Sequence, residues 1–133
     1  MKNKIKAKNK SPYGWWVATL IERWESQNED ISNLNRRCIA WTNTIILKAK
    51  DREEAYQKAM EYGNLGNDGE FDFVNENSNK RYRAVFEGIS SLLPVFEKIN
   101  EDGTEIVFEE EYVTVRRVKS WIRKKEELEA FDD

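Results

Sequence analysis

Carboxylates are the side chains of this sequence with the most scope for chemistry, because it has 25 Asp and Glu residues, no His and one Cys. Without His, the chain has no imidazole base near neutral pH, no Ser-His or Cys-His nucleophile pair and no His metal ligand. The densest acidic run is Glu109, Glu110 and Glu111. In a strand, Glu109 and Glu111 share one face and Glu110 points to the other.

This acidic run has three interpretations. It can be a solvated edge strand whose charges oppose edge-to-edge association, and this is the role we expect. It can also be an acidic docking patch for a basic protein, or part of a divalent-cation site. Adjacent glutamates alone do not provide the oxygens from several segments that a hard cation needs, so we predict no metal site.

A carboxylate-based enzyme, such as a glycosidase or a metal-dependent phosphodiesterase, would need two acids that converge in a pocket. The acids to consider are Asp72, Glu87, Glu109 and Glu111. The glycines of residues 63–69 match neither the GxGxxG nor the GxxxxGK(S/T) spacing of phosphate-binding loops. Residues 64–72 lack the ligand spacing of an EF-hand. We therefore expect a protein that is not an enzyme, has no catalytic residue and needs no cofactor.

Tryptophan is abundant in this chain, with five residues in 133. Trp15 and Trp16 are neighbours on a predicted strand and must face opposite ways, so both can be buried only if both sheet faces are covered. We expect at least one strand tryptophan to be partly exposed and to anchor a partner. The partner-binding candidates are Trp15, Trp24, Glu109, Glu110 and Glu111.

The single cysteine, Cys38, lies on a second predicted strand. No His is present to activate its thiol. We therefore expect Cys38 to be a small, buried hydrophobic residue.

The first ten residues carry five lysines and no acid, at Lys2, Lys4, Lys6, Lys8 and Lys10. With these lysines set aside, the net charge of −3 becomes −8 for residues 11–133. A lysine at every second position leaves no apolar face to bury, so residues 1–10 are predicted to be a disordered tail. The alternative is an electrostatic arm for nucleic acid.

Two strands, a helix and further strands must position these residues. Apolar and β-branched residues predict strands over residues 13–24 and 37–49, and Asp51 with Glu54 predicts the capping box of a helix. A short strand is predicted over residues 70–75 and further strands over 81–90 and about 104–116, with Pro94 placing residues 91–99 at an edge or bulge. A helical stripe begins at residue 117 and ends near Phe131. The fold class is α+β, a single antiparallel sheet of about five strands with one helix after the second strand and a C-terminal helix.

The chain length fits a single domain over residues 11–133. One cysteine cannot form an internal disulfide, and the sequence shows no apolar run long enough for a membrane span and no secretory leader. We therefore expect a soluble, cytoplasmic protein.

Two blocks of sequence resemble an uncharacterised bacterial family, the domain of unknown function 4288. The first block comprises WVATL at residues 16–20, IILKA at 45–49, and EEA at 53–55 with Ala59. The second comprises FEGI at residues 86–89, then Leu92, Val95 and DGTEI at 102–106. The resemblance covers about residues 15–110 and implies a fold; it carries over no catalytic residue.

These observations predict a non-catalytic protein-binding module of a bacterial cell. One concrete version is an immunity-type protein that neutralises a basic toxin, because such proteins are small and acidic. The alternative is a nucleic-acid-associated protein that uses the lysine-rich arm. The expected partner is another protein, which is basic in the immunity-type version, and not a membrane. A homodimer through an edge strand or the terminal helix is compatible with the pattern.

Overall fold

The computed structural model describes residues 5–67, 69–106, 114–120 and 124–127. Its strands are β1 (Trp15–Ser26), β2 (Ala40–Lys48), β3 (Phe73–Val74) and β4 (Arg81–Pro94). Its α-helices are α1 (Arg52–Asn64) and α2 (Val115–Ser120), and short 3-10 helices span Ala7–Asn9 and Lys125–Glu127. The four strands form one antiparallel sheet in the order β2-β1-β4-β3. The predicted α+β class with an antiparallel sheet is therefore confirmed.

Strand β1 is the centre of the sheet. It pairs with β2 in one continuous register, from Trp15 opposite Lys48 to Arg23 opposite Ala40. Its pairing with β4 has two irregularities, one after Thr19 and one after Ile21, where β4 holds an extra residue. Each bulge bends the strand and increases its twist.

The bulges also decide which β4 side chains reach the core. Because each one inserts a residue, Phe86, Ile89 and Leu92 all lie on the same sheet face despite their spacing of three. All three pack against the cluster of Ala18, Leu20 and Ala59. A regular strand would have turned Ile89 to the other face.

Helix α1 begins as the sequence predicts. The Asp51 carboxylate accepts a hydrogen bond of 2.9 Å from the Glu54 amide, and the Glu54 carboxylate accepts one of 3.1 Å from the Lys50 amide. The helix places Ala55 and Ala59 on the sheet, where both are fully buried. These small residues let the helix approach β1 closely.

The sequence predicted residues 81–90 and 91–99 as separate segments, but residues 81–94 form the single strand β4. Because the two bulges interrupt the alternation of side chains along β4, the sequence pattern suggested two segments. Pro94 ends β4 opposite Trp16, where the described sheet has a neighbour on one side only. Pro has no N–H to donate to a second neighbouring strand, so it fits this edge position.

The fifth predicted strand is not seen among the described residues. Residues 104–106 are not in a strand, and residues 107–113 lie outside the description. The predicted terminal helix is not confirmed. The short helix α2 (Val115–Ser120) overlaps only the start of its span, and the rest is described only at residues 124–127, where Lys125–Glu127 form a 3-10 helix. No helix in the described parts of the chain is long and apolar enough to cross a membrane.

Candidate functional site

Aromatic side chains occupy the part of the sheet that lies beyond the core beneath α1. The strand registers place Trp24, Trp41 and Tyr82 on the same face as the core residue Leu20, and Phe73 is paired with Tyr82. The ring centroids of Trp24 and Phe73 are 4.6 Å apart in an edge-to-face arrangement, and those of Trp24 and Trp41 are 5.2 Å apart. Both separations are within the favourable range for aromatic pairs.

An open pocket of about 780 Å³ lies against these aromatic rings. We call it the Trp24 pocket. It is lined by Trp24, Ser26, Asn28, Glu29, Arg37, Cys38, Ile39, Phe73, Val74, Asn75, Lys80 and Tyr82. Its volume is in the range of sites that bind small molecules. Ile39 is 70% exposed and Phe73 is 52% exposed, so apolar surface is available to a partner.

Among the described residues, the charged side chains that line the Trp24 pocket are Glu29, Arg37 and Lys80. The Glu29 carboxylate accepts hydrogen bonds from the Ser26 amide at 2.9 Å and from Nε of Arg36 at 2.5 Å. The first of these bonds, followed by that from Arg36, holds the pKa of Glu29 below its ordinary value. Arg36 therefore offsets the charge of Glu29. Arg37 and Lys80 make no ion pair with any described residue, so the rim carries a net positive charge.

A cluster of ion pairs lies on the opposite face of the sheet, which we call the Glu25 cluster: Arg23, Glu25, Arg36 and Arg83. The Glu25 carboxylate is at the centre and the residue is 4% exposed. It accepts a hydrogen bond of 2.6 Å from Nε of Arg83, and lies 3.4 Å from Arg23 and 3.6 Å from Arg36. Because Glu25 follows Trp24 directly on β1, one strand positions both the pocket and the cluster.

Arg36 connects the cluster to the loop of residues 27–39, which forms one wall of the pocket. Its guanidinium group donates hydrogen bonds to the backbone carbonyls of Ile31 and Asn33, as well as to Glu29. Within this loop, Asp30 accepts hydrogen bonds from the hydroxyl and amide of Ser32, which lower the pKa of Asp30. The loop is thus ordered by its own polar contacts as well as by Glu25.

Arg23 has a second acidic partner, Glu87, at 2.7 Å. Burial acts to lower the pKa of Arg23, but the hydrogen bond and charge of Glu87, together with Glu25, raise it above its ordinary value. Glu87, one of the carboxylates considered for catalysis, is therefore engaged in an ion pair. In the described residues, no group of three or more His, Cys, Asp or Glu side chains could hold a metal ion.

The structure separates the two predicted tryptophan candidates. Trp24 lies at the pocket, whereas Trp15 is at the other end of β1, where Nζ of Lys48 lies 5.5 Å from its ring centroid. Both are half-buried, as is Trp41, while Trp16 is 2% exposed. Glu109, Glu110, Glu111, Lys2 and Lys4 lie outside the described residues. Lys6, Lys8 and Lys10 flank or occupy the 3-10 helix Ala7–Asn9, which contacts β4.

The expectation that Cys38 is buried is wrong, because its side chain is exposed on the pocket wall. The reason is the start of β2, which begins at Ala40 rather than at residue 37. Cys38 therefore belongs to the loop and not to the strand ladder. Sequence reasoning also missed Phe73, Arg37 and Lys80 as pocket residues, since they come from three separate segments that meet only in the fold.

Comparisons of the chain with models of protein families, with curated proteins and with solved structures find no match. The resemblance to the domain of unknown function 4288 stays a prediction. A functional argument for this chain therefore depends on the chemistry of the Trp24 pocket itself.

Proposed function

We propose that this chain is a non-catalytic protein-binding module that holds a large apolar or aromatic side chain of its partner in the Trp24 pocket. The observation that supports this proposal is the packing of Trp24 between Trp41 and Phe73 beside an open pocket. Aromatic residues that line a pocket often dominate the energy of protein association. Phe73 is half-exposed, so a bound partner would remove further apolar surface from water there.

The charge of the rim favours an acidic segment as the occupant. Arg37 and Lys80 both line the pocket, and Glu29, the one acidic residue among its described lining residues, is paired with Arg36. Asp or Glu residues next to the anchoring side chain would complement the two cations and select against basic sequences. At this pocket we therefore propose an acidic peptide segment with an aromatic or large aliphatic anchor.

An immunity-type role against a basic toxin is a distinct version of the same proposal. It depends on the acidic body of the chain and on Glu109, Glu110 and Glu111, which lie outside the described residues. A basic toxin would bind away from the cationic rim of the Trp24 pocket. The two versions therefore predict opposite effects when Arg37 and Lys80 are neutralised: weaker binding of an acidic partner, and unchanged or tighter binding of a basic one.

The proposal can be tested by selection from a phage-displayed library of random twelve-residue peptides. We expect the enriched peptides to carry an aromatic or large aliphatic residue flanked by Asp or Glu. Binding of these peptides should fall at least about tenfold in Phe73→Ser, as expected for a hot-spot residue, and also in an Arg37→Ala, Lys80→Ala double variant. Tyr56→Ser is a matched control, because Tyr56 is also 52% exposed but lies on α1, outside the pocket lining.

Two results would contradict the proposal. One is a library selection that enriches no sequence. The other is a set of peptides that bind Phe73→Ser as tightly as the natural chain. Because Phe73 is half-exposed and lies in a two-residue edge strand, its replacement should leave the fold intact, and a circular dichroism spectrum checks this.

Nucleic-acid binding is the second candidate, because the same pocket combines aromatic rings with Arg37 and Lys80. In proteins that bind single-stranded nucleic acid, bases stack on aromatic rings and cationic side chains attract the phosphates. Fluorescence anisotropy with a twelve-nucleotide oligo-dT at low salt tests it. A variant with the five lysines of residues 1–10 replaced by Gln separates the arm from the pocket. No binding by the full chain at low salt would remove this candidate.

A further inference from the structure

The outer edge of β2 is the most regular open strand edge in the described sheet. β2 pairs with β1 on one side, and no described strand pairs with its other side. Residues 40–47 carry no charge, no Pro and no Gly, and their pairing with β1 has no bulge. Natural proteins usually protect such an edge with charges, Pro or bulges.

The other open edges show these protective features. β3 has only two residues, Phe73 and Val74. β4 extends beyond β3, but its course is broken by two bulges, carries charges at Arg83 and Glu87, and ends at Pro94. Neither edge can present a long, regular ladder of hydrogen-bonding groups. β2 is therefore the edge at which the sheet can be extended.

Two hydrogen bonds establish which β2 residues point outward. The Trp24 amide donates to the Ile39 carbonyl at 3.0 Å, and the Ala49 amide donates to the Gly14 carbonyl at 2.8 Å. In an antiparallel pair, backbone groups alternate in direction along the strand. Residues of odd number in β2 therefore bond to β1, and those of even number direct their N–H and C=O outward.

Among the described residues, no group bonds to the outward N–H and C=O groups over the middle of the strand, whereas the end of the strand is occupied. Thr42 and Thr44 are exposed, and Ile46 is 46% exposed. At Lys48 the outward carbonyl accepts a hydrogen bond of 2.7 Å from Nζ of Lys58 on α1. The open segment is therefore Thr42, Thr44 and Ile46, and it is centred on Thr44.

We propose that this edge pairs with the β2 edge of a second copy of the chain, in an antiparallel arrangement about a two-fold axis at Thr44. Thr44 would lie opposite the second copy's Thr44, and Thr42 opposite the second copy's Ile46. The two-fold axis makes three such residue pairs, because the pair of Thr42 and Ile46 occurs twice. Each is a hydrogen-bonded pair with two N–H···O bonds, which gives about six backbone hydrogen bonds between the copies. The result is one continuous sheet of eight strands, four from each copy.

The sequence of β2 favours a second copy over an unrelated strand. Antiparallel pairing about Thr44 places β-branched residues opposite each other, which is favourable for cross-strand packing. It brings no like charges together, because the charged Lys48 lies outside the open segment. The symmetry makes one patch complementary to itself, as a two-fold interface requires. Because paired edges alone bury less than a standard interface, we expect a weak dimer that forms reversibly as the concentration rises.

Sedimentation velocity of the full chain from about 1 to 200 µM tests the proposal, with charge substitutions at the axis. In a hydrogen-bonded pair the two Cα atoms are about 5.5 Å apart, so Thr44→Lys or Thr44→Glu would place like charges face to face. We expect each variant alone to be monomeric up to 200 µM, and an equimolar mixture of the two to dimerise again. Ser90→Lys and Ser90→Glu, at an exposed position in a β4 bulge, should dimerise like the natural chain.

Hydrogen exchange gives a test that needs no substitution. The amides of Thr42, Thr44 and Ile46 should become more protected as the concentration of the natural chain rises, because the dimer occupies them. Amides that already bond to β1, such as those of Asn43 and Ile45, should change little. A natural chain that is monomeric throughout this range, a dimer that the Thr44 substitutions leave intact, or outward amides with no concentration dependence would each overturn the proposal. It is independent of the function proposed for the Trp24 pocket.

Discussion

Glu25 and Arg83 are directly opposite each other across β1 and β4, and Nε of Arg83 donates a hydrogen bond of 2.6 Å to the Glu25 carboxylate. The strand pairing places the two side chains opposite each other on the same face of the sheet, within reach of an ion pair. The same carboxylate also pairs with Arg36 of the loop of residues 27–39. One buried acid therefore attaches a wall of the Trp24 pocket to the sheet.

Replacement of this acid should destabilise the fold. In Glu25→Gln the amide keeps the shape of the side chain but loses the charge that three guanidinium groups face. A hydrogen bond to a charged group contributes about 1.5–3 kcal/mol, and we expect the free energy of unfolding to fall by this amount. Urea unfolding followed by tryptophan fluorescence measures it.

Glu87→Gln is the matched control for Glu25→Gln. Glu87 also forms an ion pair with Arg23, but its side chain is 48% exposed, compared with 5% for Glu25. An exposed ion pair contributes at most about 1 kcal/mol. Equal losses in the two variants would show that burial of Glu25 does not determine its contribution.

The Glu29 carboxylate should make the stability of the chain depend on pH in the acid range. Hydrogen bonds from the Ser26 amide and from Arg36 hold the pKa of Glu29 in the folded protein below its ordinary value of 4.5. The stabilisation is therefore complete above the pKa of the unfolded chain, and it is lost as pH falls through the pKa of the folded state. The free energy of unfolding should decrease over that window.

A comparison with Glu29→Gln isolates this carboxylate from the other acids. The variant has no proton to bind at this position, so its difference in stability from the natural chain should shrink as the pH is lowered from about 6 to about 3. Urea unfolding at a series of pH values gives both curves. A difference that stays constant across the series would show that Glu29 titrates alike in both states.

The sequence predicted the elements whose patterns are local. The long apolar run of β1 and the pairing of Asp51 with Glu54 each depend on residues close in the chain, and both features are present. The alternation of Tyr82, Ala84 and Phe86 likewise matches their shared face in β4. These signals arise from backbone geometry, which repeats every two residues in a strand.

The pocket could not be predicted in this way because its residues come from distant segments. Trp24 was identified as a candidate, but Phe73 lies in a two-residue strand that is too short to show a period. The position of Cys38 depended on where β2 begins, a boundary that composition does not mark. The buried Glu25 depends on Arg36 and Arg83, and neither is its neighbour in sequence.

Gly63 should be required for the packing of α1 on the sheet. A Cβ at this position would lie 2.5 Å from Cε1 and from Cε2 of Phe86, whose ring faces the helix there. In an exposed helix site, Gly→Ala stabilises by about 1 kcal/mol, but here we expect overpacking to cost about 1–3 kcal/mol. Thermal unfolding of Gly63→Ala measures the net effect, which we expect to be destabilising.

Two further variants identify the cause of that loss. Gln57→Ala changes an exposed position of the same helix and should alter the free energy of unfolding by less than about 0.5 kcal/mol. Phe86→Leu in the Gly63→Ala background replaces the ring with a smaller side chain and should recover some of the lost stability. A Gly63→Ala chain that unfolds at a higher temperature than the natural chain would contradict the close contact.

The Cys38 thiol should react with maleimide in the native protein. Its side chain is exposed on the wall of the Trp24 pocket, so the reaction needs no unfolding. Labelling at neutral pH, followed by intact-mass spectrometry, should therefore proceed at a rate within about tenfold of that in urea, where all barriers to access are removed. Cys38→Ser should take up no label.

A bound peptide from the library selection should slow the reaction, because the anchoring side chain and Cys38 would share the pocket. Labelling that waits for global unfolding would show that Cys38 is buried and that the loop of residues 27–39 packs differently.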